Sequence, residues 1–160
     1  MQQQIKDTNK FYEGSIIYGN TIFESSLIDH IGRIEKIYGE IPTFAINFGH
    51  LGLIKGINIG EILPLKVSVD LLLAIGFTYR KSRLYLQGTP LCIEESDRGF
   101  LLGSVFHNKG IPVCYLDDIA KCTINSIEIY NSSTKPDLDP NFMQEYFDKI
   151  LGKKINSVFF

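Results

Sequence analysis

One stretch of the chain spaces its side chains for chemistry. Tyr79-Arg80-Lys81-Ser82-Arg83-Leu84-Tyr85 interleaves three cations with two phenol rings. Cations neutralise phosphate oxygens and aromatic rings stack on bases, so such a run on a hairpin could hold a small nucleotide. Tyr79, Arg80, Lys81, Arg83 and Tyr85 are therefore the candidate binding residues. The plainer reading of the same run is a charged hairpin tip that blocks edge pairing. The charge balance favours it: 18 acids against 16 Lys and Arg leave a net charge of −2. That balance argues against nucleic acid as a partner.

Other reactive side chains lack a pattern. His30, His50 and His107 share no motif, and neither H-E-x-x-H nor the zinc-deaminase spacing occurs. They are expected to be scattered surface histidines. No G-x-S-x-G elbow offers a hydrolase nucleophile. Cys92 and Cys114 sit among apolar neighbours and are expected to be buried, inert thiols. With Cys122 they make three cysteines, too few and too far apart for a zinc site and an odd number for a disulfide scaffold. Gly49-His50-Leu51-Gly52 has the spacing of a backbone clamp but not its basic centre. The acids Glu94-Glu95-Asp97, Asp117-Asp118 and Asp137-Leu138-Asp139 lie on turns and strands where neighbours point apart. An enzyme would have to assemble Cys114, His107 or Asp118 from a distance. No catalytic residue, metal ligand set or cofactor is assigned.

The elements that must position these residues follow from periodicity and punctuation. Met1–Lys10 is polar and aperiodic, a flexible N-terminal arm. Gly14–Phe23 is rich in β-branched and aromatic residues around Gly19-Asn20, one strand or two around a turn. Over Ser25–Tyr38, Leu27, Ile31, Ile34 and Tyr38 fall at i, i+4, i+7 and i+11, which predicts a helix closed by Gly39. The isoleucines and Gly32 in the same segment also permit a strand. Thr43–Phe48 and Leu51–Ile59 read as strands, with glycines marking turns, bulges or close backbone approach.

Ser68 caps a short helix over Val69–Ile75, and Gly76 closes it. Phe77–Gly88 is a hairpin about Lys81-Ser82. Strands follow at Leu91–Ile93 and Phe100–Phe106, separated by the turn Ser96–Gly99. His107–Gly110 is a further turn, Val113–Leu116 a short strand, and Asp117–Cys122 a short helix. Thr123–Tyr130 alternates like a half-solvated strand. Asn131–Asp139 is a loop, and a helix starts at Asp139-Pro140 and ends at Gly152. The apolar tail Ile155–Phe160 must pair or dock, so Ile155, Val158, Phe159 and Phe160 are candidate interface residues.

The 160 residues are 44% apolar and 21% charged, a globular composition able to bury a core. No apolar window approaches the length of a membrane span. The expected fold is α+β: mostly antiparallel short strands with three to four helices, a single compact domain over residues 11–160 after the arm. Free thiols and a start without a basic and apolar leader point to the cytoplasm.

The segment Ile62-Leu63-Pro64-Leu65-Lys66-Val67-Ser68-Val69-Asp70-Leu71-Leu72-Leu73-Ala74-Ile75-Gly76-Phe77 resembles the I-P-L-T-x-E-x-L-L-x-x-G-F segment of short proteins from Bacteroidetes genomes, prophages and phages. Lys66-Val67-Ser68 replaces the usual Thr and acid. The resemblance covers about residues 60–120. It implies a small barrel before the segment, then a hairpin, further strands and a short helix, and a phage or mobile-element source, with the virion or host cytoplasm as location. It brings no activity with it. The expected function is that of a non-enzymatic interaction or assembly protein that meets a protein partner or its own copies. A module that sequesters a nucleotide is the alternative, and an enzyme with a non-local site the third.

Overall fold

A computed structural model describes residues 11–120 and 143–154, apart from Gly88, Pro90, Arg98, Val105 and Phe106. The expected arm at 1–10, the strand at 123–130, the loop at 131–139, the start of the helix at Asp139-Pro140, Cys122 and the tail Ile155–Phe160 lie outside the described residues. Mostly antiparallel strands with little helix make up the fold. The chain forms two compact units. One runs to Leu65 and resumes at Leu151, and the other is Lys66–Ile150.

In the first unit β1 (Ile16–Gly19), β4 (Ile31–Tyr38), β5 (Thr43–Asn47), β6 (Leu53–Asn58) and β7 (Ile62–Pro64) form a five-stranded sheet in the order β6-β5-β4-β1-β7. Between β1 and β4 the chain makes a separate hairpin, β2 (Thr21–Phe23) and β3 (Ser26–Ile28). A 3-10 turn, Ile59–Glu61, precedes β7. The last strand of this sheet lies beside the first. Register shifts between Ile34 and Lys36 and between Phe44 and Ile46 bend the sheet over its core. Ile17, Ile28, Ile34, Phe44, Ile46, Phe48, Ile54, Ile57 and Ile62 fill that core.

The helix expected over Ser25–Tyr38 is not formed, since that segment supplies β3 and β4. The helical spacing of its apolar residues is outweighed by a non-local fit. A Cβ built on Gly32 would lie 2.6 Å from Ile46 Cγ2 and 2.9 Å from Phe48. Only a bare backbone lets β4 lie under those side chains, and the β-branched isoleucines suit the pleat. The returning segment 151–154 docks on the start of β4. Gly152 N donates to Ile31 O at 2.8 Å, and Ile31 N to Lys153 O at 2.8 Å.

The second unit opens with helix α1 (Val69–Ile75). Ser68 Oγ accepts the Leu71 N–H at 3.2 Å, and the N–H of Gly76, at φ +128°, donates to Leu72 and Leu73 carbonyls. Leu72 and Ile75 are buried. A five-stranded antiparallel meander follows: β8 (Phe77–Arg80), β9 (Arg83–Leu86), β10 (Leu91–Ser96), β11 (Gly99–Ser104) and β12 (His107–Val113), in the order β12-β11-β10-β9-β8. His107–Gly110, expected as a turn, is part of β12. Leu102 pairs with Ile111 and Phe100 with Val113, so the pairing with β11 carries these polar residues into the ladder. One sheet face buries Phe77, Leu84, Leu86, Ile93 and Leu102, and α1 lies against β8. Helix α2 covers residues 116–120, and α3 is Met143–Phe147, followed by a 3-10 turn, Asp148–Ile150. Among the described residues no helix is long and apolar enough to cross a membrane.

Candidate functional site

The run Tyr79–Tyr85 forms a two-stranded hairpin because four residues of β8 and four of β9 pair across Lys81-Ser82, in the register Thr78 to Tyr85, Tyr79 to Leu84 and Arg80 to Arg83. Side chains alternate across a strand. Phe77, Leu84 and Leu86 therefore face the core with Tyr79, while Thr78, Arg80, Arg83 and Tyr85 face the other way. Tyr79, at the margin of the buried face, is 53% exposed. Lys81 holds the turn at φ +55°, an uncommon conformation for a side chain of its size.

Three of the five candidate residues line one cleft, Tyr79 from one face of the hairpin and Arg80 and Tyr85 from the other. An open cleft of about 560 Å³ is lined by Tyr79, Arg80 and Tyr85, with Thr78, Leu86, Gln87 and Thr89 completing it. Its size is that of a small-ligand site. Thr89 is fixed there: its hydroxyl donates to Leu86 O at 2.8 Å and accepts the Leu91 N–H at 3.2 Å. Arg83 does not line this cleft. Its Nη2 lies 3.9 Å from Glu94 Oε2, the residue opposite it on β10. Lys81 sits at the turn, outside the lining.

The cysteines divide. Cys92 is buried, as expected, and burial pushes its thiol pKa up, with the nearby Arg83 opposing and Glu94 reinforcing the shift. That thiol is a poor nucleophile. Cys114 is exposed, contrary to expectation. It follows β12, and its side chain turns away from the face on which Val113 is buried. Asp118 serves the backbone beside it. The Asp118 Oδ2 accepts the N–H of Cys114 at 3.1 Å and of Tyr115 at 3.0 Å. Those two bonds close the start of α2.

Sequence reading missed a pairing of histidines. His30 and His50 stand edge to face with centroids 6.3 Å apart. His30 follows β3, and His50 lies in the 3-10 turn Gly49–Leu51, so only the folded sheet joins them. His30 Nδ1 accepts the backbone N–H of Asp29 at 3.1 Å. That bond uses the Nδ1 lone pair, and the approach of Asp29 Oδ1 to Nδ1 at 3.4 Å is no hydrogen bond. Burial lowers the His30 pKa, Asp29 opposes, and Lys154 and His50 add to the lowering. Lys154 Nζ lies 3.9 Å from Asp29 Oδ1. Among the described residues no three His, Cys, Asp or Glu side chains are placed to hold a metal ion.

The second feature missed is the β2–β3 hairpin. Ile22 and Leu27 stand directly opposite one another and are 73% and 59% exposed, and Phe23 beside them is also exposed. Its base is tied down by Glu61, whose carboxylate accepts the Thr21 hydroxyl and whose carbonyl accepts the Asn20 N–H at 2.8 Å. The apolar residues at 22 and 23 were visible, but nothing local said which face the core would leave uncovered.

No family model, curated protein or solved structure matches this chain.

Proposed function

We propose that this chain is a non-enzymatic interaction and assembly protein, and that its β2–β3 hairpin docks a second copy of itself. The observation that carries this is the cross-strand pair Ile22 and Leu27, exposed on a ribbon whose two outer edges have no strand beside them among the described residues. A two-stranded ribbon is marginal alone, and more strands or an apolar cover stabilise it. A two-fold contact presents the same patch on both copies.

Burying a side chain of this size is worth about 1.5–3 kcal/mol. Two partly exposed side chains from each copy make a small apolar contact, so the expected dimer is weak and concentration-dependent. The phage or mobile-element source and a place in the virion have the resemblance at Ile62–Phe77 as their support.

Light scattering over a concentration series tests this. The mass is expected to rise toward twice the monomer mass and to stay monomeric in the double variant Ile22→Ser, Leu27→Ser. A wild-type chain monomeric up to roughly millimolar concentration sinks the proposal. The same series on a chain ending at Lys154 measures what the tail residues Ile155, Val158, Phe159 and Phe160 add.

A further inference from the structure

We infer that the free edge of β8 accepts an extended acidic peptide as an added strand. β8 closes one side of its sheet, and no strand lies beyond it among the described residues. Alternate residues of an edge strand direct their N–H and C=O groups outward, a template for another chain. Four residues of β8 offer about 13 Å of ladder at roughly 3.3 Å per residue. The cleft that holds Tyr79, Arg80 and Tyr85 is built on this hairpin, so a segment pairing with β8 enters a site with side chains of its own.

Register decides between a base and a strand as the occupant. Tyr85 stands opposite Thr78, and Tyr79 opposite Leu84, so the two rings lie on opposite faces of the hairpin. They cannot clamp one base between them. They can serve alternate side chains of an added strand, one ring on each face.

Charge decides the partner. Arg83 lies toward β10, near Glu94, while Arg80 stands on the β8 side of the hairpin and Lys81 at its turn. An incoming strand therefore meets the Arg80 guanidinium on the face of Thr78 and Tyr85, and the phenol ring of Tyr79 on the other. The fitting peptide alternates acidic and apolar residues. A second copy of β8 is a poor occupant, because like charges placed side by side repel. This site lies in the second unit and stands independently of the self-association of β2–β3.

The test uses the full chain and an eight-residue fluorescein-labelled peptide alternating Val and Glu, read by anisotropy. Saturable binding is expected, with no binding of the Val and Lys counterpart. Arg80→Glu, at an exposed position, should weaken binding by about tenfold or more. A peptide N-methylated at alternate residues keeps its side chains and loses its ladder donors, so it should not bind. Equal binding of the methylated and parent peptides overturns strand addition, as does failure of the parent peptide to bind. ADP or pyrophosphate binding where the peptide does not would assign the cleft to a small anion instead.

Discussion

The β2–β3 and β8–β9 hairpins are built alike and meet water differently. Each closes with two residues and no glycine, with positive φ at Glu24 and Ser25 in one and at Lys81 in the other. The β8–β9 hairpin sends Phe77, Leu84 and Leu86 into a core and presents cations at its tip. The β2–β3 hairpin buries only Thr21 and Ile28 and presents Ile22 and Leu27 to solvent. A hairpin stitched into a five-stranded sheet needs charge on its exposed edge to avoid indiscriminate pairing. A hairpin set apart from its sheet carries an apolar face that needs a cover. Edge chemistry, rather than hairpin geometry, separates the two as interaction surfaces.

The largest expected effect contrasts their anchoring. Leu84→Ala should cost about 2–5 kcal/mol in urea unfolding, because it empties a fully buried site. Ile22→Ala in the monomeric range should stay within about 0.5 kcal/mol. Equal losses at the two positions would break the comparison.

Next come the turns. A two-residue turn with both φ values positive is the place for Asn-Gly, and a side chain in that region costs on the order of 1–2 kcal/mol per residue. The double variant Glu24→Asn, Ser25→Gly should raise the unfolding free energy by about 1–2 kcal/mol and leave binding of the acidic peptide at β8 unchanged. A destabilised variant would show that Glu24 or Ser25 makes a contact that outweighs the strain.

The smallest effect is titratable and lies at the base of β2–β3. Burial holds the His30 pKa below the ordinary 6.5. As pH falls below that value, the unfolded chain takes up a proton that the folded chain refuses. Stability is therefore complete above about 6.5 and declines through the interval down to the folded-state pKa. The urea midpoint of wild type relative to His30→Gln should drop between pH 7.5 and 5.5. A constant difference would mean that His30 carries its charge without cost.

Local signals read well where their partners were near in sequence. Ser68 and Gly76 bracket α1 because a hydroxyl reaches an N–H three residues on and a glycine accepts φ +128°. The Phe77–Leu86 hairpin was legible from alternation about Lys81-Ser82, and the strands at 16–23, 43–47 and 53–58 from β-branched runs between glycines. Ser25–Tyr38 fits both periods locally, Leu27, Ile31, Ile34 and Tyr38 a helix and its isoleucines a strand, and the strand forms because Gly32 answers to Ile46 and Phe48, residues beyond the segment. Of the candidate site, residue types were legible and company was not. Arg83 turned out to neighbour Glu94, and Cys114 to face water.

The sequence by itself determined the caps of α1, the turn at Lys81-Ser82, the alternation of β8 and β9 and the absence of a catalytic motif, because each is set by groups within a few residues of one another. Tertiary structure alone decided that Ile22 and Leu27 are exposed, that His30 meets His50, that Tyr79 and Tyr85 stand on opposite faces, and that no strand lies beyond β8 among the described residues. Those outcomes depend on which strand lies beside which, and a strand's partner is chosen by burial and register across the whole chain.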